Sequence, residues 1–85
     1  MNEIEKFVNT RYRVLKYLIE NKDRLNIVRC TQEEMGASLS LSRGTINRIL
    51  TELKNDGYIQ DSNHYWEYKL TSKAIDMAKT LNLRY

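Results

Sequence analysis

The chain has 85 residues, a size that predicts one domain over residues 1–85 around a single core, with no room for a separate catalytic or ligand-sensing domain. Hydrophobic residues make up 41% and charged residues 29%, and no apolar run approaches the ~20 residues of a membrane-spanning helix. The net charge of +3 is compatible with nucleic acid without being diagnostic of it, and the acidic, polar opening Met-Asn-Glu-Ile-Glu predicts no secretory signal.

From about Asn2 to Asn21, Ile4, Phe7, Val8, Leu15, Leu18 and Ile19 recur at helical spacing, and Tyr12, Val14 and Tyr17 widen the stripe. This predicts an amphipathic helix. Arg11, Arg13 and Lys16 fall mostly on its other sides, where they would serve either backbone contacts or solubility. The polar run Asn21-Lys22-Asp23-Arg24 ends it. Leu25 to Cys30 is short and β-branched, with Leu25 and Ile27 alternating, and predicts a short strand. Cys30 is the single cysteine, so it closes no internal disulfide and cannot build a zinc site alone. It reads as a small buried hydrophobe in a reducing, intracellular setting.

Thr31-Gln32-Glu33-Glu34 is a capping box, in which the Thr31 hydroxyl accepts from the Glu34 amide and the Glu34 carboxylate reaches back. A helix starts there, with Met35 and Leu39 on one face, and the pattern stops at Ser40-Leu41. Ser42 opens the next helix as N-cap, and Ser42 to Asp56 is its expected span. Ile46, Ile49, Leu50 and Leu53 give it a clean apolar stripe, and Gly57 suits the left-handed residue past its end. Tyr58 to Gln60 reads as a strand, Asp61-Ser62-Asn63-His64 as a turn, and Tyr65 to Leu70 as a second strand. Trp66, Tyr68 and Leu70 share a face of that strand, and packing onto the first and last helices is preferred over base stacking for Trp66 and Tyr68. Thr71 caps a last helix, Ser72 to about Asn82, with Ala74, Ile75, Met77, Ala78 and Leu81 as its apolar residues; Leu83-Arg84-Tyr85 is a tail. The expected fold is α+β, mainly α: a winged helix-turn-helix in the order helix-strand-helix-helix-strand-strand-helix.

The functional signal lies on the polar side of the Ser42–Asp56 helix. Arg43, Gly44, Asn47, Arg48 and Thr51 form a stripe opposite the apolar one, and no acid lies within it; Glu52 and Asp56 fall beside it or near its far end. Arginine can bridge the two acceptors of guanine and asparagine can pair with adenine in the major groove of double-stranded DNA. Gly44 allows close backbone approach, and the helix start favours a phosphate. A solvated face is the competing reading for an arbitrary helix; the capped helix before this one and the hairpin after it weigh against that.

Thr31, Glu34, Met35, Leu39, Ser42, Arg43, Thr45, Ile46, Arg48, Leu50, Leu53 and Ile59 form a gapless pattern that resembles the DNA-binding half of the Crp/Fnr family of bacterial regulators. The resemblance covers about a third of the chain and lacks the family's sensor domain and long dimerisation helix, so nucleotide regulation does not carry over. It implies base reading by Arg43 and Arg48 and phosphate contacts by Thr31 and Ser42. Gln32 and Thr45 are added as backbone contacts, and Asn63 and His64 as a modest wing contact. The family often has glutamate where this chain has Gly44, which argues against a shared operator. It usually has glycine where this chain has Ser40, which predicts a slightly strained turn.

The expected function is a sequence-specific DNA-binding regulator, a repressor or autoregulator, acting as a homodimer in the cytoplasm at the nucleoid. Phe7, Val8, Ile75 and Leu81 are the expected dimer surface. Two alternatives stay open: a plasmid partition, replication or phage protein coating repeated sites, and a winged-helix protein-interaction module. No constellation for catalysis, metal or cofactor stands out, and no small-molecule effector is expected.

Overall fold

The computed structural model describes residues 3–62, 64 and 66–81, with side chains from residue 10 onward. Asn2, Asn63, Tyr65, Asn82 and the tail 83–85, and the side chains of Ile4, Phe7 and Val8, lie outside this description. The elements follow the expected order: α1 (Glu3–Asn21), β1 (Ile27–Arg29), α2 (Gln32–Leu39), α3 (Arg43–Asn55), β2 (Ile59–Asp61), β3 (Glu67–Leu70) and α4 (Ser72–Thr80). The three strands form an antiparallel sheet in the order β1-β3-β2, with Val28 opposite Tyr68 and Ile59 opposite Leu70.

Three of the helices start where hydroxyl caps stand in the sequence. Thr31, Ser42 and Thr71 have extended backbones, and their side chains accept from the amides of Glu34, Thr45 and Ala74. Each satisfies an otherwise orphaned donor and is worth about 1 kcal/mol. Gly57, at φ 83°, follows α3 in the left-handed region, and the Tyr58 amide returns to the carbonyl of Leu53 at 2.8 Å.

The core joins every layer. Val14, Leu15, Leu18 and Ile19 of α1 meet Ile46, Ile49, Leu50 and Leu53 of α3 in one cluster with Val28, Ile59 and Leu70 of the sheet and Ala74 and Ala78 of α4. Cys30 is buried in this cluster as expected, and burial pushes its thiol pKa up. The apolar stripe of α3 therefore faces inward, which turns its polar stripe outward.

Several expectations at the periphery need correction. The first strand is shorter than Leu25 to Cys30, and its buried residue is Val28, whereas Leu25 is 69% exposed. Asp23 causes the shift: its Oδ1 accepts from the amides of Leu25 and Ile27, and Asn26 takes φ 64°. This turn consumes Leu25 before pairing begins.

Trp66 is not a core residue. It is 38% exposed and stacks on His64 with ring centroids 4.5 Å apart. Its carbonyl accepts from Cys30 just ahead of the first β3 pairing, so it belongs to the turn and escapes the alternation assumed from Tyr65 onward. Tyr68 and Leu70 do pack inward. At the other end of the chain, Leu81 stands at the C-cap of α4 and is 41% exposed.

Candidate nucleic-acid interface

The helix-turn-helix is built around one close approach. Ser40 ends α2 in the left-handed region at φ 56°, where its amide returns to the Gly36 carbonyl, and the Leu41 amide joins it there at 2.9 Å. A side chain on Gly36 would put its Cβ 2.6 Å from the Leu41 carbonyl oxygen. Glycine is therefore required where the chain folds back before α3. Nothing in the local sequence pattern marks Gly36, because only the tertiary path of the turn makes it special. The strain expected at Ser40 is present as the positive φ.

Burial of Ile46, Ile49, Leu50 and Leu53 leaves Arg43, Gly44, Asn47, Arg48 and Thr51 all exposed on α3. An open concavity of about 750 Å³ lies between the first turns of α2 and α3. It gathers Thr31, Gln32, Arg43, Gly44 and Asn47 from the expected set, together with Glu33. Gly44 adds room: nothing lies within 4 Å of where its Cβ would be. Gln32 Nε2 donates to Asn47 Oδ1 at 3.3 Å and so links the two helices across the concavity. Thr51 Oγ1 donates to the Asn47 carbonyl at 2.9 Å, which turns its hydroxyl proton toward the helix. Ser42 Oγ donates to Thr45 Oγ1 at 2.8 Å while accepting from the Thr45 amide, so these two side chains act as one unit at the helix start.

No acid lies within the row itself, but each of its two arginines has an acid beside it. Arg43 NH1 lies 3.6 Å from Glu33 of α2, and Arg48 NH1 lies 3.3 Å from Glu52. The second pair follows from i, i+4 spacing on one helix and was legible in principle. The first needed the packing of α2 against α3.

Two basic residues of α1, Arg11 and Arg13, also have structural work. Arg11 pairs with Asp56 and lies 3.7 Å from Glu52, and Arg13 donates to the carbonyl of Leu39. Both tie α1 to the helix-turn-helix, a structural role that was not among those expected for them.

The hairpin of β2 and β3 is the wing. Lys54 holds Asp61 at 2.9 Å, which neutralises the acid nearest the tip, and Ser62 donates to Glu67 at 2.6 Å. His64 is exposed on top of Trp66, and Asn63 lies outside the described residues. Among the described residues no group of three or more His, Cys, Asp or Glu could hold a metal ion, and no helix is long and apolar enough to cross a membrane.

The sequence profile of the Crp-like helix-turn-helix domain matches residues 12–73. No curated protein matches the chain at a significant level. Among solved structures, a Crp-family transcriptional regulator from Thermus thermophilus is similar at TM-score 0.68 and 20% identity, over 94% of this chain and 46% of that one. A point mutant of MepR from a multidrug-resistant S. aureus clinical isolate reaches TM-score 0.71 at 21% identity, over 100% of this chain and 64% of that one. HlyU from Vibrio cholerae reaches 0.63 at 18%, over 96% and 95% of the two chains. These likenesses establish the winged-helix fold. The chain spans less than half the length of the Thermus structure.

Proposed function

The chain belongs to the Crp-like helix-turn-helix domain family, a DNA-binding class, and from that premise we propose that it is a transcription-regulator domain that reads double-stranded DNA by placing α3 in the major groove. The observation that carries this reading is the exposed row Arg43, Gly44, Asn47, Arg48 and Thr51 standing opposite a fully buried apolar stripe. Arg43 and Arg48 read guanine edges through their forked donors, and Asn47 reads an adjacent base. Gly44 lets the backbone of the first turn approach the groove floor, since no neighbouring atom fills its place. Thr31, Gln32, Ser42 and Thr45 lie at the starts of α2 and α3, where backbone amides and hydroxyls suit phosphate oxygens. His64 at the wing tip adds a smaller backbone or groove contact, with Asn63 beside it in sequence.

The domain acts in the cytoplasm at the nucleoid, as a steric repressor or autoregulator and without chemistry of its own. One reading helix offers few base contacts, and a two-fold dimer on a palindrome doubles them. Leu81, 41% exposed, is proposed for that contact together with Phe7 and Val8, whose side chains lie outside the described residues; Ile75 is partly buried against the core. Sedimentation of the protein free and on its selected DNA tests this: a monomer in both states at high concentration removes the dimer. Fluorescence anisotropy with duplex DNA across a salt series tests the reading itself. Binding that weakens steeply with salt and favours one sequence supports it, and absence of binding at low salt removes it.

A further inference from the structure

We propose that Glu52 is a positioning residue for Arg48: its carboxylate, anchored to Arg11 of α1, holds the guanidinium in one orientation and thereby sets base selectivity where Arg48 meets the DNA. This rests on the reading of α3 as the DNA-reading helix. The carboxylate is a bridge between two helices. Its Oε2 lies 3.3 Å from Arg48 NH1 and its Oε1 lies 3.7 Å from Arg11 NH1. Arg11 is itself fixed, because its other terminal nitrogen pairs with Asp56. The Glu52 side chain is 31% exposed, against 47% for that of Arg48. The acid is thus the more shielded member of the pair and the arginine the more exposed.

An arginine on an open helix face has four flexible torsions, and ordering them on DNA costs entropy that the specific contact must overcome. A carboxylate that already holds one edge removes part of that cost. The guanidinium carries five donors in a fixed fork, so an edge engaged by Glu52 is compatible with another edge directed at guanine. The same carboxylate repels phosphates, so for affinity alone it is a disadvantage. Its presence beside a reading arginine trades sequence-independent attraction for orientation. That trade has a distinctive signature: removing the acid tightens binding to arbitrary DNA while weakening discrimination at a single base pair. Loss of helix stability would instead weaken binding to every sequence. Relief of repulsion alone would tighten binding everywhere and leave discrimination intact.

The test uses the full chain as wild type, Glu52→Gln, Arg11→Met and Arg48→Ala. A motif is selected from random duplexes with the wild type, and Arg48→Ala identifies the base pair that depends on Arg48. Affinities are then measured on duplexes substituted one base pair at a time and on a non-specific duplex, with thermal melts run in parallel. Discrimination at the Arg48-dependent pair is expected to fall roughly fivefold or more in Glu52→Gln, while the other positions hold and the non-specific affinity rises. Arg11→Met is expected to relax the same pair, although Arg11 belongs to α1 and not to the reading helix. Unchanged discrimination in Glu52→Gln, or equal relaxation at every position, overturns the positioning role and leaves the reading of α3 standing. A wild type that selects no motif overturns that reading and this proposal together.

Discussion

Gly36 and Leu41 are locked together across the helix-turn-helix: the Leu41 amide donates to the Gly36 carbonyl at 2.9 Å, and a Cβ on Gly36 would stand 2.6 Å from the Leu41 carbonyl oxygen. The obstacle is backbone and cannot swing aside. Gly36→Ala is therefore expected to cost about 2–3 kcal/mol, in the upper part of the overpacking range, even though alanine is the better helix former. Gly44→Ala makes the opposite prediction, because its site is open: roughly 0.5 kcal/mol of stabilisation from helix propensity. Urea midpoints of the two variants check both signs at once.

Ser40 occupies the left-handed region at φ 56°, ψ 44°, a conformation in which a Cβ is crowded. Ser40→Gly is expected to raise stability by about 0.5–1 kcal/mol. A lower unfolding midpoint for this variant would show that the Ser40 side chain contributes stability that outweighs its backbone strain.

The Ser42 hydroxyl caps α3 and also holds Thr45 Oγ1. Ser42→Ala is expected to cost about 1 kcal/mol of stability and Ser42→Gly a few tenths, as measured by thermal or urea unfolding.

The three hydroxyl caps, the apolar stripe of α3 and the glycine that follows it were all readable along the chain, because each depends on residues within a turn or two of one another. The exposed row from Arg43 to Thr51 was readable for the same reason: burying Ile46, Ile49, Leu50 and Leu53 leaves it nowhere else to face. What escaped was set by distant partners. Glu33 meets Arg43 only because α2 packs on α3, and Arg11 meets Asp56 across 45 residues of sequence. Leu25 and Trp66 were misplaced because alternation was extended into turns, where Asp23 and the His64–Trp66 stack govern the backbone instead.

Asp23 makes a prediction about acid stability. Its carboxyl pKa lies below the ordinary 3.8, chiefly because it accepts from the Ile27 amide, with Arg29 and the Leu25 amide adding to the effect. A carboxyl depressed in the folded state contributes stability that is fully present above its unfolded value and lost as pH falls through its folded value. The deficit of Asp23→Ala relative to wild type should thus be constant at neutral pH and shrink as pH drops below 3.8. Urea titrations across about pH 2.5 to 6 read this directly. A deficit independent of pH would assign the effect of Asp23 to turn geometry alone.

Whether α3 reads DNA sequence is tested by selecting bound duplexes from a random pool with wild-type protein and with Arg48→Ala. An enriched motif is expected for the wild type and loss of preference at one base pair for the variant, with specific binding weakened by about 1–3 kcal/mol and non-specific binding little changed. Equal weakening of Arg48→Ala on every duplex, or no motif from the wild type at low salt, would contradict it.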